Sequence, residues 1–204
     1  MEKTDFKKAL KALYQLPAGQ FSIVEVPGLT FAMVDGKGDP NVAPEYANAV
    51  QWLFSVSYTL KFMSKKELAR DYTVPPLEGL WWAEDMSAFL NRDKAAWSWT
   101  MMILQPDWIT PAMFQAAANK AGQKLGSAPA SLRLEEYQEG LSVQILHVGS
   151  YDDEGPVLRR LHEEYLPESG LAETGHHHEI YLSDPRRVAP EKLKTILRQP
   201  VRRL

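Results

Sequence analysis

Short apolar runs separated by turn residues dominate the first part of this chain. Residues 21–26 and 29–34 are rich in β-branched and aromatic side chains, and they predict two strands. The Pro-Gly pair at residues 27–28 predicts a tight turn between them. From Pro44 to about residue 65 the apolar positions recur at helical spacing, which predicts an amphipathic helix.

The middle of the chain predicts two more strands and a well-bounded helix. Residues 77–83 and 95–104 are strand candidates that could pair as a hairpin, with a polar connection at Asn91, Arg92 and Asp93 between them. The next helix is bracketed by Thr110, which suits the N-cap with Pro111 after it, and by Gly126 past its end.

The last third continues the mixed pattern. Residues 132–137 and 141–148 flank a Glu-Gly pair at residues 139–140, which predicts a β-hairpin. Apolar residues at 157, 158, 161 and 165 predict a further helix, and the stretch around Glu179 predicts a strand. Residues 190–197 predict a short closing helix that Pro200 ends.

An internal similarity suggests that the chain is duplicated. Residues 28–34 match residues 140–146 by residue type, and in both places a loop with Gly and Asp and then a helix follow. Shared strand composition is the plain alternative, but the matched order of elements favours duplication. The fold class expected is α+β: one domain over residues 1–204, with strand-helix-strand-strand pseudo-repeats at about 20–108 and 109–200. Helices would cover one face of an antiparallel sheet, which leaves a ligand groove between the repeats.

Composition excludes several functional classes. The 204 residues carry a net charge of -3 with dispersed basic residues, so direct binding to nucleic acid is not expected. The absence of cysteine removes disulfides, thiolate metal sites and a cysteine nucleophile. The chain contains neither the apolar core of a signal peptide nor an apolar run long enough to span a membrane, so we expect a cytoplasmic protein. We expect it to be either a monomer or a homodimer.

Residues 176–185 are the strongest candidate for a functional site. Strand alternation places Glu179 and Tyr181 on one face with His177 and Ser183. In poorly solvated surroundings Glu179 suits a general base for water, or equally a counter-charge for a cationic ligand, and Tyr181 suits a hydrogen-bond donor to a developing oxyanion. An exposed Glu and Tyr at a sheet edge is the alternative. His176 and His178 lack a third ligand, so we expect neither a metal nor a cofactor.

Tryptophans on the middle strands suggest an aromatic ligand. Trp81, Trp82 and Trp99 lie on the two strand candidates with Met101 nearby, and such surfaces suit flat apolar ligands. Burial in the core is the alternative for each of them. Trp81 and Trp82 must point to opposite faces of a regular strand, and the sequence does not decide which one faces a ligand.

Four blocks in this order resemble the stand-alone GyrI-like proteins: VDGKGDPN (34–41), PLEGLWW (76–82), ILHVGSYDDE (145–154) and HHEIYLSDP (177–185). The resemblance implies a duplicated strand-helix-strand-strand fold that binds aromatic, often cationic small molecules. It implies a groove glutamate at Glu179, its neighbour Tyr181 and an aromatic wall at Trp81 or Trp82. Tyr58 and Trp99 are added from the residue pattern alone.

The resemblance leaves three functions open. Some stand-alone members are hydrolases that open the strained cyclopropane of DNA-alkylating natural products, which would need no cofactor here. The second is a non-catalytic module that sequesters or senses drugs. The third is a gyrase-inhibitor-like interaction protein that binds a macromolecular partner.

Overall fold

The computed structural model of the protein describes residues 3–84 and 93–204, and it has an α+β fold. Its contacts divide the chain into two compact units. The first comprises residues 3–9 and Leu29–Tyr137, and the second comprises Leu10–Gly28 and Gln138–Leu204. The helices and strands, in chain order, are β1 Lys3–Thr4, α1 Phe6–Ala9, α2 Lys11–Tyr14, β2 Ser22–Lys37, α3 Pro44–Glu67, β3 Asp71–Tyr72, β4 Leu77–Trp82, β5 Ser98–Leu104, α4 Pro111–Leu125, β6 Arg133–Val148, α5 Gly155–Arg160, α6 Leu166–Glu168, β7 Leu171–Glu173, β8 His177–Tyr181 and β9 Lys194–Arg203.

In the first unit, β5 pairs antiparallel with β2 on one side and with β4 on the other. Helix α3 contacts β5 and packs along α4. Its buried stripe includes Trp52, Leu53, Val56 and Leu60, which is the helical spacing that the sequence predicted. The helix from Pro44 and the pairing of the two middle strands are therefore confirmed. Asn91 and Arg92, in the predicted connection, lie outside the described residues.

The ends of α4 agree with their local sequence. The Thr110 hydroxyl accepts a hydrogen bond from the Met113 backbone N–H at 3.2 Å, which satisfies one of the free donors of the first turn. At the other end Gly126 has a φ of 85°, a conformation that glycine adopts without steric cost. The predicted cap and stop signals are confirmed.

In the second unit, β9 lies between β6 and β8, and its end pairs with β7. The helical segment after β6 consists of α5, a π-helical turn at Leu161–Tyr165 and α6. Leu161 and Leu166 from this segment pack with Val143 and Val201 of the strands in a buried cluster. Both units thus contain a long strand, a helical segment, a short strand of two or three residues and two further strands in that order. The predicted α+β fold class is confirmed. The repeat boundaries near residues 20–108 and 109–200 stay a prediction.

The structure corrects two predicted turns. Residues 27–28 do not form a turn, since β2 runs without a break from Ser22 to Lys37. An exposed proline is compatible with a strand where no ladder hydrogen bond is needed from its nitrogen. Likewise β6 continues through residues 139–140, and Gly140 takes a φ of 76° inside the strand. A glycine in a strand is thus a point of local backbone adjustment here rather than a chain reversal.

The predicted closing helix is also wrong. Residues Pro190–Lys192 form only one 3-10 turn, and Lys194–Arg203 is a strand. Seven consecutive residues of β9, from Thr195 to Val201, are buried, because other strands flank it and both of its faces are covered. A strand of this kind lacks the alternation that distinguishes a strand from a helix in a sequence.

Among the described helices, none combines the length and the apolar character needed to cross a membrane.

Candidate functional site

The candidate site lies in the second unit, on one face of β8. His177, Glu179 and Tyr181 are partly exposed, whereas His178 and Ile180 between them are buried. Antiparallel pairing with β9 fixes this alternation. The predicted sharing of one face by Glu179, Tyr181 and His177 is therefore confirmed.

The Glu179 carboxylate is held by its own strand neighbours. The Tyr181 hydroxyl donates a hydrogen bond of 2.7 Å to Oε2 of Glu179. Nε2 of His177 lies 3.4 Å from Oε1 of the same carboxylate. Within the described residues, neither ring nitrogen of His177 has a hydrogen-bond partner. One carboxylate oxygen is thus fixed by a phenol, and the other lies beside an imidazole whose ring nitrogens are buried.

A second carboxyl group, Glu154, belongs to the same site. It follows the 3-10 turn Tyr151–Asp153 and is only 5% exposed. Burial, together with smaller contributions from the negative charges of Glu179 and Asp152, raises the pKa of Glu154 to about 10. In the part of the chain that the structure describes, its Oε1 has no hydrogen-bond partner. Glu154 is therefore a protonated, neutral carboxylic acid at neutral pH.

Tyr151 adds an aromatic surface beside these carboxyl groups. Its ring meets that of Tyr181 edge to face, with centroids 5.8 Å apart and an interplanar angle of 84°. Burial raises the pKa of Tyr151 to about 12, with smaller contributions from the charges of Glu179, Glu154 and Asp184. The phenol therefore stays neutral across the physiological range, and its ring is 39% exposed.

The arrangement provides an acid and a base in one place. Hydrolytic sites often combine a carboxyl group that keeps its proton with a second carboxyl group nearby, so that one can act as an acid and the other as a base. Glu154 can donate a proton or a strong hydrogen bond, and Glu179 can accept a proton or attract a cation. Tyr151 and Tyr181 supply the ring surfaces.

A buried ionic cluster anchors the strands behind this face. Nδ1 of His178 lies 2.9 Å from Oε1 of Glu139, and Nη1 of Arg198 donates to Oε2 of Glu139 at 3.2 Å. Arg198 also donates to Gln144 and to the backbone carbonyl of Leu13. Burial raises the pKa of Glu139, but His178 and Arg198 outweigh it and hold that pKa at about 2. The cluster links β6, β8 and β9, and its carboxylate belongs to Glu139, which the sequence analysis placed in a β-hairpin turn.

Two of the four predicted aromatic residues of the first unit, Trp81 and Trp99, are buried in its core. Trp81 and Trp99 are directly opposite in the β4–β5 ladder, and both rings contact Tyr46 of α3, at 6.1 and 5.3 Å between centroids. Trp81 therefore faces the helix, and strand alternation directs the partly exposed Trp82 to the other face.

Met101 shares the helix-facing side with Trp99, and both are completely buried. A ligand would reach either side chain only after a rearrangement, so their ligand contact stays a prediction. Tyr58 lies instead on the exposed side of α3, where its ring stacks on Phe54 with 6.4 Å between centroids. The ligand contacts of Tyr58, Trp81 and Trp82 stay predictions as well.

Sequence reasoning did not assign roles to Glu154 and Tyr151. A usable signal was present, because Tyr151-Asp152-Asp153-Glu154 precedes a Gly-Pro helix start and only the last acid is buried once the helix packs. Within residues 3–84 and 93–204, no group of three or more His, Asp or Glu side chains is placed to hold a metal ion.

Comparison with known proteins identifies relatives over nearly the whole chain. Residues 19–202 match the GyrI-like small molecule binding domain family. An uncharacterized conserved protein from Listeria innocua is 42% identical, with a TM-score of 0.89 over 98% of this chain and 100% of that one. A hydrolase from Listeria innocua is 40% identical, with a TM-score of 0.84 over the same shares of both chains. No curated protein matches the chain.

A more distant structure shares the fold alone. The C-terminal domain of EcmrR is 10% identical, with a TM-score of 0.56 over 91% of this chain and 98% of that domain.

Proposed function

Since this chain belongs to the GyrI-like small-molecule-binding domain family, we propose that it is a cofactor-free hydrolase of small aromatic molecules. The observation that carries the proposal is that the Glu179 carboxylate, which Tyr181 holds in place, lies close enough to the buried Glu154 for its charge to raise the pKa of Glu154. The 40% identity to a hydrolase from Listeria innocua supports the same class of reaction. The proposed substrates are compounds in which a strained cyclopropane is spiro-fused to a cyclohexadienone that is conjugated with an aromatic ring.

In the proposed reaction, Glu179 takes a proton from water while the water oxygen attacks the methylene carbon of the cyclopropane. The strained carbon–carbon bond breaks, and its electron pair moves through the conjugated ring to the carbonyl oxygen. Glu154 protonates that oxygen, which becomes a phenol. The product is the substrate plus one water. Proton transfer from Glu179 to Glu154 through solvent restores the starting state, so neither an oxidant nor a cofactor is needed.

Tyr181 has a positioning role in this proposal. The sequence suggested that it stabilises an oxyanion, but its hydroxyl hydrogen is donated to Glu179. A carboxylate held in one orientation keeps its other oxygen directed at the water, so less reorganisation is needed as the proton is transferred. Stabilisation of the developing oxyanion then falls to the Glu154 carboxylic acid.

The test is turnover of a neutral spirocyclopropane-bearing aromatic by the protein and by its Glu179→Gln variant, followed by mass spectrometry. Wild type should form many equivalents of a product one water heavier. General-base catalysis contributes ~10² to 10⁴-fold, so the variant should lose about that much of kcat. Glu164→Gln, which changes an exposed glutamate of the same unit, is the matched control and should keep full turnover.

Unchanged turnover in the Glu179→Gln variant would rule out its role as the base. Recovery of intact compound from wild type, despite binding, would rule out the hydrolase and favour a second function.

That second function is sequestration or sensing of cationic aromatic molecules. It is favoured by the charge of Glu179 beside the edge-to-face rings of Tyr151 and Tyr181, a combination that attracts aromatic cations. Under this function, Glu179→Gln lowers the affinity for a cationic ligand by about tenfold or more and leaves the affinity for a neutral ligand of the same shape unchanged. Equal weakening of both ligands would contradict it.

A further inference from the structure

An exposed aromatic stripe runs along α3 in the first unit. Phe54, Tyr58 and Phe62 follow one another at intervals of one helical turn and so lie on one side of the helix. Tyr58 is 49% exposed and Phe62 is 61% exposed, although both carry large apolar rings. Adjoining exposed apolar side chains are typical of binding surfaces, whereas single scattered ones are common on any protein surface.

Two lysines of α4 border this stripe. Lys120 and Lys124 are one turn apart, both are exposed, and together with the three rings they line a groove of about 420 Å³. We name it the α3–α4 groove. Its other lining residues, Ser55 and Thr59, are neutral, and α4 itself contains no acidic residue. In the described ranges, neither Lys120 nor Lys124 forms an ion pair, so their charges are available to a ligand.

We propose that the α3–α4 groove is a second ligand site, which binds planar aromatic anions. The rings of the ligand would stack on Tyr58 and Phe62, and its carboxylate, sulfonate or phosphate would pair with Lys120 and Lys124. Eight residues of α3 separate Phe54 from Phe62, or about 12 Å, which matches the length of a ligand with two or three rings.

The charge of the groove decides the ligand class. It is lined by two cations and no carboxylate, the opposite of the carboxyl-rich face of β8. A cationic aromatic would therefore be repelled by the α3–α4 groove, and an anionic one would be attracted to it. The proposal is independent of the hydrolase function, because no residue of the groove takes part in that reaction.

The test uses two fluorescent probes of nearly the same shape. 8-Anilinonaphthalene-1-sulfonate carries an anionic group, and N-phenyl-1-naphthylamine lacks it. We expect the protein to bind the sulfonate more tightly, and increasing salt should reduce this preference because the lysines are exposed. The Lys120→Gln/Lys124→Gln variant should bind the sulfonate about tenfold more weakly and the neutral probe as wild type does.

Two controls separate this site from others. Lys66→Gln removes an exposed charge of α3 outside the groove and should change neither affinity. Phe62→Ser should weaken the binding of both probes, since it removes a stacking surface without changing the charge.

Equal binding of the two probes by wild type, or unchanged sulfonate binding in the double-lysine variant, would overturn the proposal. Binding of an acidic amphipathic peptide to the lysines when neither probe binds would also overturn it, since the groove would then be a protein-docking surface.

Discussion

Replacing Glu154 by glutamine should make the protein more stable at neutral and alkaline pH. The carboxyl group has an ordinary pKa of 4.5, and in the folded protein burial and the charge of Glu179 raise that pKa to about 10. Between these values the folded state holds a proton that the unfolded state has released. The contribution of Glu154 to stability is therefore complete below about pH 4.5 and is lost progressively as the pH rises towards 10.

The magnitude follows from this linkage. For each pH unit between these two pKa values, the free energy of unfolding of wild type falls by about 1.4 kcal/mol relative to a variant with a residue at position 154 that does not titrate. Between about pH 5 and about pH 8 the cost reaches up to about 4 kcal/mol. A glutamine side chain has nearly the same shape as a glutamic acid and no charge. The free energy of unfolding of the Glu154→Gln variant should therefore equal that of wild type near pH 5 and exceed it by a growing amount towards pH 8.

The assay is urea unfolding at several pH values, followed by tryptophan fluorescence. Wild type and Glu154→Gln are compared with Glu164→Gln, in which an exposed glutamate of the same unit is neutralised. Titrating groups that do not interact with the substituted residues are common to all three proteins and cancel in the differences. A stability difference that does not change with pH, or a Glu154→Gln variant that is less stable at pH 8, would refute a protonated Glu154. In the same variant, turnover should fall, because an amide cannot transfer the proton that the proposed reaction needs.

Three further predictions concern other parts of the protein. Glu139→Ala should lower the free energy of unfolding by about 3–5 kcal/mol in urea denaturation, because it leaves a buried guanidinium without its carboxylate. Acid should also destabilise wild type as Glu139 is protonated, between its ordinary pKa of 4.5 and about 2, and the variant should lack that dependence. Gly36→Ala should lower the free energy of unfolding by about 1–3 kcal/mol, since its new Cβ overlaps the Trp99 ring. An unchanged melting temperature would contradict that packing. Tyr181→Phe should lower kcat/KM by about tenfold or more, through loss of the bond to Glu179, with binding measured separately as the control.

Much of the first unit was predictable from its sequence. Helix α4 begins after Thr110 and ends before Gly126 because capping groups act within one turn of the chain, and the sequence contains those groups directly.

The alternation of β8 was predictable for a similar reason, since the strand repeat of two residues places Glu179 and Tyr181 on one face wherever the strand lies.

The rest required contacts between distant parts of the chain. Residues 27–28 and 139–140 have turn composition, yet β2 and β6 continue through them because strand pairing outweighs local preference. The local sequence around Glu139 is typical of a turn. In the structure its carboxylate contacts His178 and Arg198, which lie far along the chain from it. No local rule could place that cluster.

The sequence by itself determined the α+β class, the ends of α4 and the face of β8 that carries the candidate chemistry, because these depend on residues within a few positions of one another. Only the tertiary structure decided that β9 is a strand, that Trp81 rather than Trp82 faces α3, and that Glu154 holds its proton. The physical reason is that burial and electric field at one residue are set by neighbours in space, and most of those neighbours are far away along the chain.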